Sequence, residues 1–276
     1  MRKSKTVCSM WKNAFVRKFD LAFGLLGAWI LALILPFVLT GAVGAETAKD
    51  GSVNFHVLVF SRTTGFRHNS IPDGIRALRK LGDKHHFAVD ATEDPAAFTD
   101  QNLKQYQVVV FLNTTGDVLD DDQQKAFEHY IEQGGGYVGV HSASDTEYDW
   151  PWYGKLVGAY FAGHPRIQQA QLEVIDHHHP ATSFLPDRWQ RRDEWYNFRK
   201  APTGVHVLLK LDTDSYQGST LAGNHPAAWY HAYDGGRAFY TAGGHTKESY
   251  AEPLFLRHLL GGITWAAGLA PAGGQK

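Results

Sequence analysis

The fold is decided by residues 134–143, which read Gly-Gly-Gly-Tyr-Val-Gly-Val-His-Ser-Ala. The preceding stretch, Asp120–Gln133, carries apolar residues at helical spacing, so it predicts a helix that stops at the three glycines. Tyr137–Val140 is apolar throughout, as expected of a strand that is buried on both faces. A helix that leads directly into such a strand is typical of a parallel α/β sheet.

The turn after this strand places small residues two positions before and two positions after His141. A nucleophile elbow has the same arrangement, because its tight turn leaves no room for bulky side chains. With imidazole at its centre, the turn is expected to hold His141 exposed, as a general base, a proton shuttle or a metal ligand. The alternative is a histidine that only hydrogen-bonds the end of a strand.

Outward from this turn, the first half of the chain alternates predicted strands with helices. The strands are Val53–Phe60, Phe87–Asp90 and Tyr106–Asn113, and a further helix is predicted near Ser70–Leu81. Strands that alternate with helices in this way predict a doubly wound, mainly parallel α/β sheet.

The second half reads differently, because its strand candidates alternate polar and apolar residues. These candidates are Arg166–Ile175, Val205–Leu211, Trp229–Tyr233 and Arg237–Tyr240. We interpret them as strands added to the sheet, with an antiparallel arrangement left open. Pro253–Trp265 predicts a closing helix, and Gly268–Lys276 predicts a frayed tail.

The N-terminal 45 residues have the three parts of a secretory signal. Six basic residues flank an apolar run, Leu21–Val43, and small residues precede a cleavage point before Glu46. We therefore expect an exported chain, periplasmic or secreted, with a single domain at 46–276. The 23 apolar residues also suffice to cross a bilayer, so a membrane anchor that leaves the domain outside the cytoplasm is the alternative.

Removing residues 1–45 changes the charge and the redox chemistry of the chain. The segment holds six of the 27 basic residues and one of the 28 acidic ones, so 21 basic and 27 acidic residues remain, a net charge of −6. A mildly acidic domain without a cluster of Lys and Arg is a poor candidate for nucleic-acid binding. The only cysteine, Cys8, also lies in this segment, which excludes disulfides and thiol catalysis from residues 46–276.

Polar side chains follow the predicted parallel strands, where ligands of open α/β sheets bind. They lie in three loops, Ser61–Asn69, Asn113–Asp117 and His141–Asp149. Later in the chain, Asp193 and Glu194 are adjacent carboxylates beside two aromatics, and in a strand only one of such a pair can face a given site. One of them could serve as an acid and the other as an acceptor for sugar hydroxyls.

Histidines beside glycine or proline recur at the edges of the predicted elements: His164, His225 and His245. Three imidazoles and a carboxylate would form a zinc or similar divalent-metal site, but no regular spacing joins these residues, so a metal stays an open alternative. The run His177–His179 is interpreted as a solvated turn.

Taken in order, these motifs resemble the trehalose-utilisation, ThuA-like family. The motifs are GFRH (Gly65–His68), GGGYVGVH (Gly134–His141), W-x-Y (Trp150–Tyr153), HP (His164-Pro165), DEWY (Asp193–Tyr196), HPAAW (His225–Trp229), GGRAFY (Gly235–Tyr240) and GGH (Gly243–His245). The resemblance covers Val53 to Gly268 and implies a flavodoxin-like fold similar to class I glutamine amidotransferases. Amidotransferase chemistry is excluded, because His141 stands where those enzymes carry a catalytic cysteine.

The resemblance also implies a pocket and a chemistry. The implied pocket residues are His68, His141, Asp145, His164, Glu194, Tyr196, His225, Trp229, Arg237 and His245. We expect an enzyme that acts on a disaccharide or keto-sugar, with His141 and either Asp145 or Glu194 as the acid–base pair. Isomerisation, elimination and glycoside hydrolysis all stay open as its reaction.

Two further hypotheses need no catalysis. One is a sugar-binding module that stacks pyranose rings on Trp150, Trp152, Trp195 and Trp229. The other is an accessory subunit that stabilises a partner enzyme. The expected partner is a small-molecule carbohydrate, with membrane contact only if the N-terminal segment is retained, and the sequence leaves the oligomeric state open.

Overall fold

The structure is a computed structural model that describes residues 54–270 except 222 and 224. The predicted export segment at 1–45 and the last six residues of the predicted tail lie outside the described residues. Among the residues that are described, no helix is long and apolar enough to cross a membrane.

Five parallel strands form the part of the sheet that the sequence predicts best. Their order is β2 (Phe87–Thr92), β1 (Phe55–Phe60), β3 (Val108–Leu112), β4 (Gly136–Val140) and β11 (Gly236–Thr241). β3 and β4 are buried at every residue, as their continuous apolar sequences predict. The expectation of a doubly wound α/β fold with a parallel core is confirmed.

Helices cover both faces of this core. One face holds α1 (Ile71–His85) and α5 (Pro253–Ala266), and the other holds α2 (Asp100–Leu103), α3 (Asp121–Glu132) and α4 (Pro151–Val157). α3 begins at a capping box, in which the Asp120 carboxylate accepts from the backbone N–H of Gln123 and the Gln123 side chain accepts from the N–H of Asp120. The four apolar residues that predicted this helix are all buried against the sheet.

The second half adds antiparallel strands to the same sheet. Beyond β11 lie β10 (Pro226–Tyr233), β9 (His206–Leu211), β6 (Gln168–Val174) and β7 (Arg188–Asp193). β5 (Phe161–Gly163) and β8 (Asn197–Phe198) form a separate two-stranded sheet. Neither β7 nor α4 is predicted by the sequence pattern.

The antiparallel half curls around α5. β7 is five strands from β4 in sheet order, yet the indole Nε1 of Trp189 donates to Glu252, which precedes α5, over 2.9 Å. Arg191 of β7 also pairs with Glu252, over 2.8 Å. The curl therefore brings the end of β7 back toward the carboxyl ends of the parallel strands.

All described strands and both hydrophobic cores lie within one compact unit, Lys49–Lys276. A unit that contains its whole core can fold on its own.

Candidate functional site

His141 lies at the centre of the tight turn that follows β4. Its φ is +51°, a left-handed conformation that is uncommon for a residue with a side chain. A Cβ on Gly139 would lie 2.6 Å from the Tyr137 hydroxyl, which explains the small residue two positions earlier. The structure therefore has the geometry of an elbow, but the expectation of an exposed imidazole is wrong, because His141 is fully buried.

The backbone fixes the tautomer of His141. Its Nδ1 lies 2.8 Å from the carbonyl oxygen of Ala242, and a carbonyl only accepts, so Nδ1 carries a hydrogen and donates it. When the ring holds this single hydrogen, Nε2 has a lone pair that faces His245 and Glu194. The Tyr240 hydroxyl donates to the carbonyl of His141 over 2.7 Å and holds the turn.

His245 enters the site from the loop after β11. Its Nδ1 lies 3.2 Å from Nε2 of His141. The loop is held on one side by Asp193, which accepts from the backbone N–H groups of Gly244, over 2.8 Å, and His245, over 3.2 Å. On the other side, the carbonyl of Gly244 accepts from Asn113 over 3.1 Å.

His68 comes from the loop after β1 and completes the group of imidazoles. Its ring meets those of His141 and His245 edge to face, at centroid distances of 4.9 and 5.0 Å. Its Nδ1 lies 3.4 Å from the Ser142 hydroxyl. Burial, with the two neighbouring histidines, lowers the pKa of His68 to about 2, so its ring is neutral at physiological pH.

Glu194 follows β7 and reaches the site because of the curl of the sheet. Its Oε2 lies 3.0 Å from Nδ1 of His245 and 3.4 Å from Nε2 of His141. Its Oε1 lies 3.1 Å from Nδ1 of His164. Burial on its own raises the pKa of Glu194, but hydrogen bonds and charge interactions with His141 and His245 outweigh it and hold that pKa well below its ordinary value.

These four side chains have the composition and spacing of a metal site. His68, His141, Glu194 and His245 can each offer one donor atom, and the four atoms lie within 4.8 Å of one another. Donor atoms bound ~2.1 Å from one ion at tetrahedral or octahedral angles are roughly 3.0–3.4 Å apart. The three distances that join His141, His245 and Glu194 are 3.0, 3.2 and 3.4 Å.

The cluster opens to solvent on one side. The side chain of His245 is 18% exposed and that of His164 is 41% exposed, whereas those of His141 and Glu194 are buried. Phe66 is 65% exposed, and its ring contacts His68 edge to face at 5.0 Å. Solvent therefore reaches the cluster at His164 and His245, whereas the Glu194 carboxylate is buried.

Tyr196, Asp145 and His225 surround the cluster. The Tyr196 ring packs on His141 at a centroid distance of 4.0 Å. Asp145 accepts from the Tyr148 hydroxyl over 2.5 Å, and burial raises the pKa of this carboxyl. His225 is buried and lies 2.7 Å from the Tyr196 carbonyl, so it supports the segment that carries Glu194 and Tyr196 and lies outside the group of donors.

The structure does not bring Trp229 and Arg237 to the site. Trp229 is fully buried, donates from Nε1 to the Val157 carbonyl over 2.9 Å and packs on Tyr240, so it is a core residue. Arg237 is exposed and pairs in register with Gly136, at the amino end of β4, whereas the site lies beyond the carboxyl end. Their expected place in the pocket is corrected on these grounds.

Asp193 and Phe66 also belong to the site, although they were not among the predicted pocket residues. Both are in motifs that had been singled out, Asp193 in DEWY and Phe66 in GFRH. Strand alternation indicated that Asp193 and Glu194 face different ways, and the structure shows what Asp193 faces, namely the His245 loop. The sequence signal for Phe66 was its position two residues before His68, a candidate pocket residue.

The comparisons with known proteins agree with the motifs. The sequence profile of the ThuA family, described as trehalose utilisation, matches residues 56–266. A putative ThuA-like protein from Bacteroides uniformis has a similar structure, with a TM-score of 0.67 and 24% identity over 81% of this chain and 94% of that one. A second, from Parabacteroides merdae, gives 0.65 and 21% over 80% and 92%.

More distant solved structures share the fold alone. A β-galactosidase from Bacillus circulans gives a TM-score of 0.52 at 14% identity, over 80% of this chain and 32% of that one. No match is found among curated proteins.

Proposed function

Because the chain belongs to the ThuA, or trehalose-utilisation, family, we propose that it is an exported enzyme that acts on a disaccharide or keto-sugar at a divalent-metal centre. His68, His141, Glu194 and His245 are the proposed ligands. The family supports the carbohydrate role, and the donor cluster supports the metal. Export rests on the signal-like sequence of residues 1–45.

The observation that carries the metal centre is the convergence of lone pairs. The tautomer of His141 leaves Nε2 as an acceptor, and this atom faces the Glu194 carboxylate and Nδ1 of His245 within 3.4 Å. Acceptors this close repel one another unless a proton or a metal ion lies between them. Neutral imidazoles and an ionised carboxylate are also the protonation states that bind divalent metals.

A bound divalent ion would polarise a sugar oxygen and lower the pKa of a coordinated water or hydroxyl. The protein's own residues would do the rest. Glu194 stays ionised, so we interpret it as a ligand and not as the acid. His164 Nδ1 lies 3.1 Å from the second oxygen of Glu194, and the side chain reaches solvent, so it can orient that carboxylate and face the substrate.

The exposed groups at the open side fit a carbohydrate. Phe66 offers an apolar ring face on which a pyranose can stack. Asp145 lies on the turn after His141, and a carboxyl with a raised pKa is suited to accept and return a proton. This arrangement favours abstraction of a proton next to a keto group, and Asp145 is the proposed base.

The structure weakens the proposal of a non-catalytic sugar-binding module. That hypothesis needs tryptophan faces open to solvent, but Trp150, Trp195 and Trp229 are buried, and Trp152 is only half-buried and donates to Asp234.

Metal content is the first test. The chain purified without chelators should hold about one equivalent of a divalent metal, measured by elemental analysis. Glu194→Gln and His245→Gln should each reduce it below about a fifth of an equivalent, because one donor is lost. His129→Gln changes an exposed histidine on α3 and should keep the full content.

Turnover is the second test. The same samples are incubated with disaccharides and their 3-keto derivatives, with and without a chelator. We expect activity that a chelator removes and that added metal restores, and Phe66→Ala should raise KM more than it lowers kcat. Full activity in a metal-free sample would contradict the metal centre. It would favour a second candidate, acid–base catalysis without a metal, in which a proton on Nδ1 of His245 bridges to Glu194 over 3.0 Å.

A further inference from the structure

A groove on the α1–α5 face of the domain is lined by cations around an apolar floor. It has a volume of about 820 Å³, and Ala77, Leu81, Leu256 and Leu260 contribute to its floor. We name this feature the basic groove. It lies along the two helices and the segment 247–251; none of the four proposed metal ligands lines it, and the proposed reaction makes no use of it.

The charge of the groove is opposite to that of the domain around it. Five cations line it: Arg76, Lys80, Lys84, Lys247 and Arg257. All five are exposed, and the only acidic lining residue is Asp73, which pairs with Arg76. Residues 46–276 as a whole carry a net charge of −6, so the groove is a local cluster of positive charge on an acidic domain.

Cations around an apolar floor complement a surface that offers anionic headgroups above acyl chains. Lys and Arg can lay their aliphatic stems on the apolar floor while their charged ends reach outward to phosphate groups. Each basic residue near an anionic membrane contributes about fivefold to binding. A soluble inorganic anion would use the charges but would leave the apolar floor unmatched.

The chain also enters the domain at one end of the groove. The backbone N–H of Asn54 donates to the carbonyl of His86 over 2.7 Å, directly after Lys84 and His85. In the sequence, ten residues separate the apolar run that ends at Val43 from Asn54. Ten extended residues span at most about 35 Å, so a retained anchor would keep the groove within that distance of the bilayer.

We propose that the basic groove docks the domain on a membrane surface that contains anionic phospholipid. The proposal rests on the export part of the proposed function and is independent of the metal centre and of catalysis. A cleaved domain would use the groove for reversible binding, and an anchored domain would use it to fix its orientation.

Vesicle co-sedimentation of the chain from Glu46 to Lys276 tests the proposal without the apolar run. We expect binding to vesicles that mix phosphatidylglycerol with phosphatidylcholine, weak binding to pure phosphatidylcholine, and loss of binding as salt is raised. Lys80→Gln with Lys84→Gln should weaken binding ~20-fold, because two cations that each contribute about fivefold are removed. Lys80→Glu with Lys84→Glu should give a larger loss, because two negative charges are added as well.

The matched control is Lys104→Glu with Lys125→Glu, which changes net charge equally on the opposite face of the sheet. It should stay within about threefold of the original affinity. Equal loss in the control, equal binding to both kinds of vesicle, or unchanged binding in the groove variants would each overturn the proposal. The proposal would also be overturned if the chain bound no lipid and formed a dimer that the groove substitutions dissociate. The occupant of the groove would then be a second copy of the chain. Because vesicle binding needs no turnover, its failure is separable from failure of the enzymatic proposal.

Discussion

Replacing Asp193 with asparagine tests whether this fully buried carboxylate holds the His245 loop in place. Its Oδ2 accepts from the Gly244 N–H over 2.8 Å and from the Ser249 hydroxyl over 2.9 Å, and lies 3.4 Å from the Arg191 guanidinium. Its Oδ1 accepts from the N–H groups of Glu194 and His245 over 3.0 and 3.2 Å. Since every partner is a potential donor, the amide NH₂ group of asparagine has no favourable orientation.

The expected cost follows from these contacts. With the NH₂ group at the Oδ2 position, a buried backbone N–H loses its acceptor, which costs ~1–3 kcal/mol. The buried Arg191 also loses a counter-charge but keeps Glu252, so the second loss is smaller than the ~3–5 kcal/mol of an isolated buried charge. We expect the free energy of unfolding to fall by about 3 kcal/mol.

Urea unfolding followed by tryptophan fluorescence measures this change, and elemental analysis under folding conditions measures its effect on the site. Displacement of the loop should reduce metal retention in the folded variant. Asp122→Asn, on a carboxylate that is 96% exposed, is the control and should change neither quantity by a measurable amount. A loss below about 1 kcal/mol with full metal content would refute the reasoning, because the carboxylate would then be dispensable for the loop.

Three further predictions concern the core and the turn. Burial lowers the pKa of His258 to about 3 and that of His179 to about 4, so the interpretation of His177–His179 as a solvated turn is wrong at the fully buried His179. The unfolded chain therefore takes up protons at higher pH than the folded one, and chelated protein should lose about 2 kcal/mol of unfolding free energy per histidine between pH 7 and pH 5. A flat urea profile over this window would contradict the prediction. Trp229→Phe should lower the thermal midpoint of unfolding, because a buried indole N–H···O bond is lost, and should leave KM for the sugar unchanged. A large rise in KM would show that Trp229 contacts the substrate. Gly139→Ala should destabilise the fold by ~1–3 kcal/mol, because the new methyl group overlaps a buried tyrosine hydroxyl, and an unchanged urea midpoint would show that the turn accepts bulk.

Local pattern was sufficient for the parallel core, and the reason is physical. β3 and β4 are buried on both faces, so their sequences are continuously apolar, and α3 is bounded by a capping residue and by glycine. Each signal lies within a few residues of the element that it predicts. The elbow geometry at His141 was predictable for the same reason, because steric crowding in a tight turn selects small neighbours.

The surroundings of His141 were not predictable from its own segment. The turn was expected to expose the imidazole, but residues more than 50 positions away bury it: the backbone after β11, the Tyr196 ring and the His68 ring. Periodicity gives the direction of a side chain relative to its own element and does not give what covers it. Trp229 shows the converse, since a conspicuous aromatic in a family motif is a core residue whose N–H is satisfied by α4.

The four proposed metal ligands were named from the sequence as pocket residues, but nothing in their spacing joined them. His141 and Glu194 are 53 positions apart, and β7 lies five strands away from β4 in the sheet. Only the curl around α5, held by the contacts of Trp189 and Arg191 with Glu252, closes that separation. The site therefore depends on the antiparallel half of the sheet as much as on the elbow. The same residues that curl the sheet fix the geometry of the donors, so substitutions at Glu252 should disturb metal content before they disturb the parallel core.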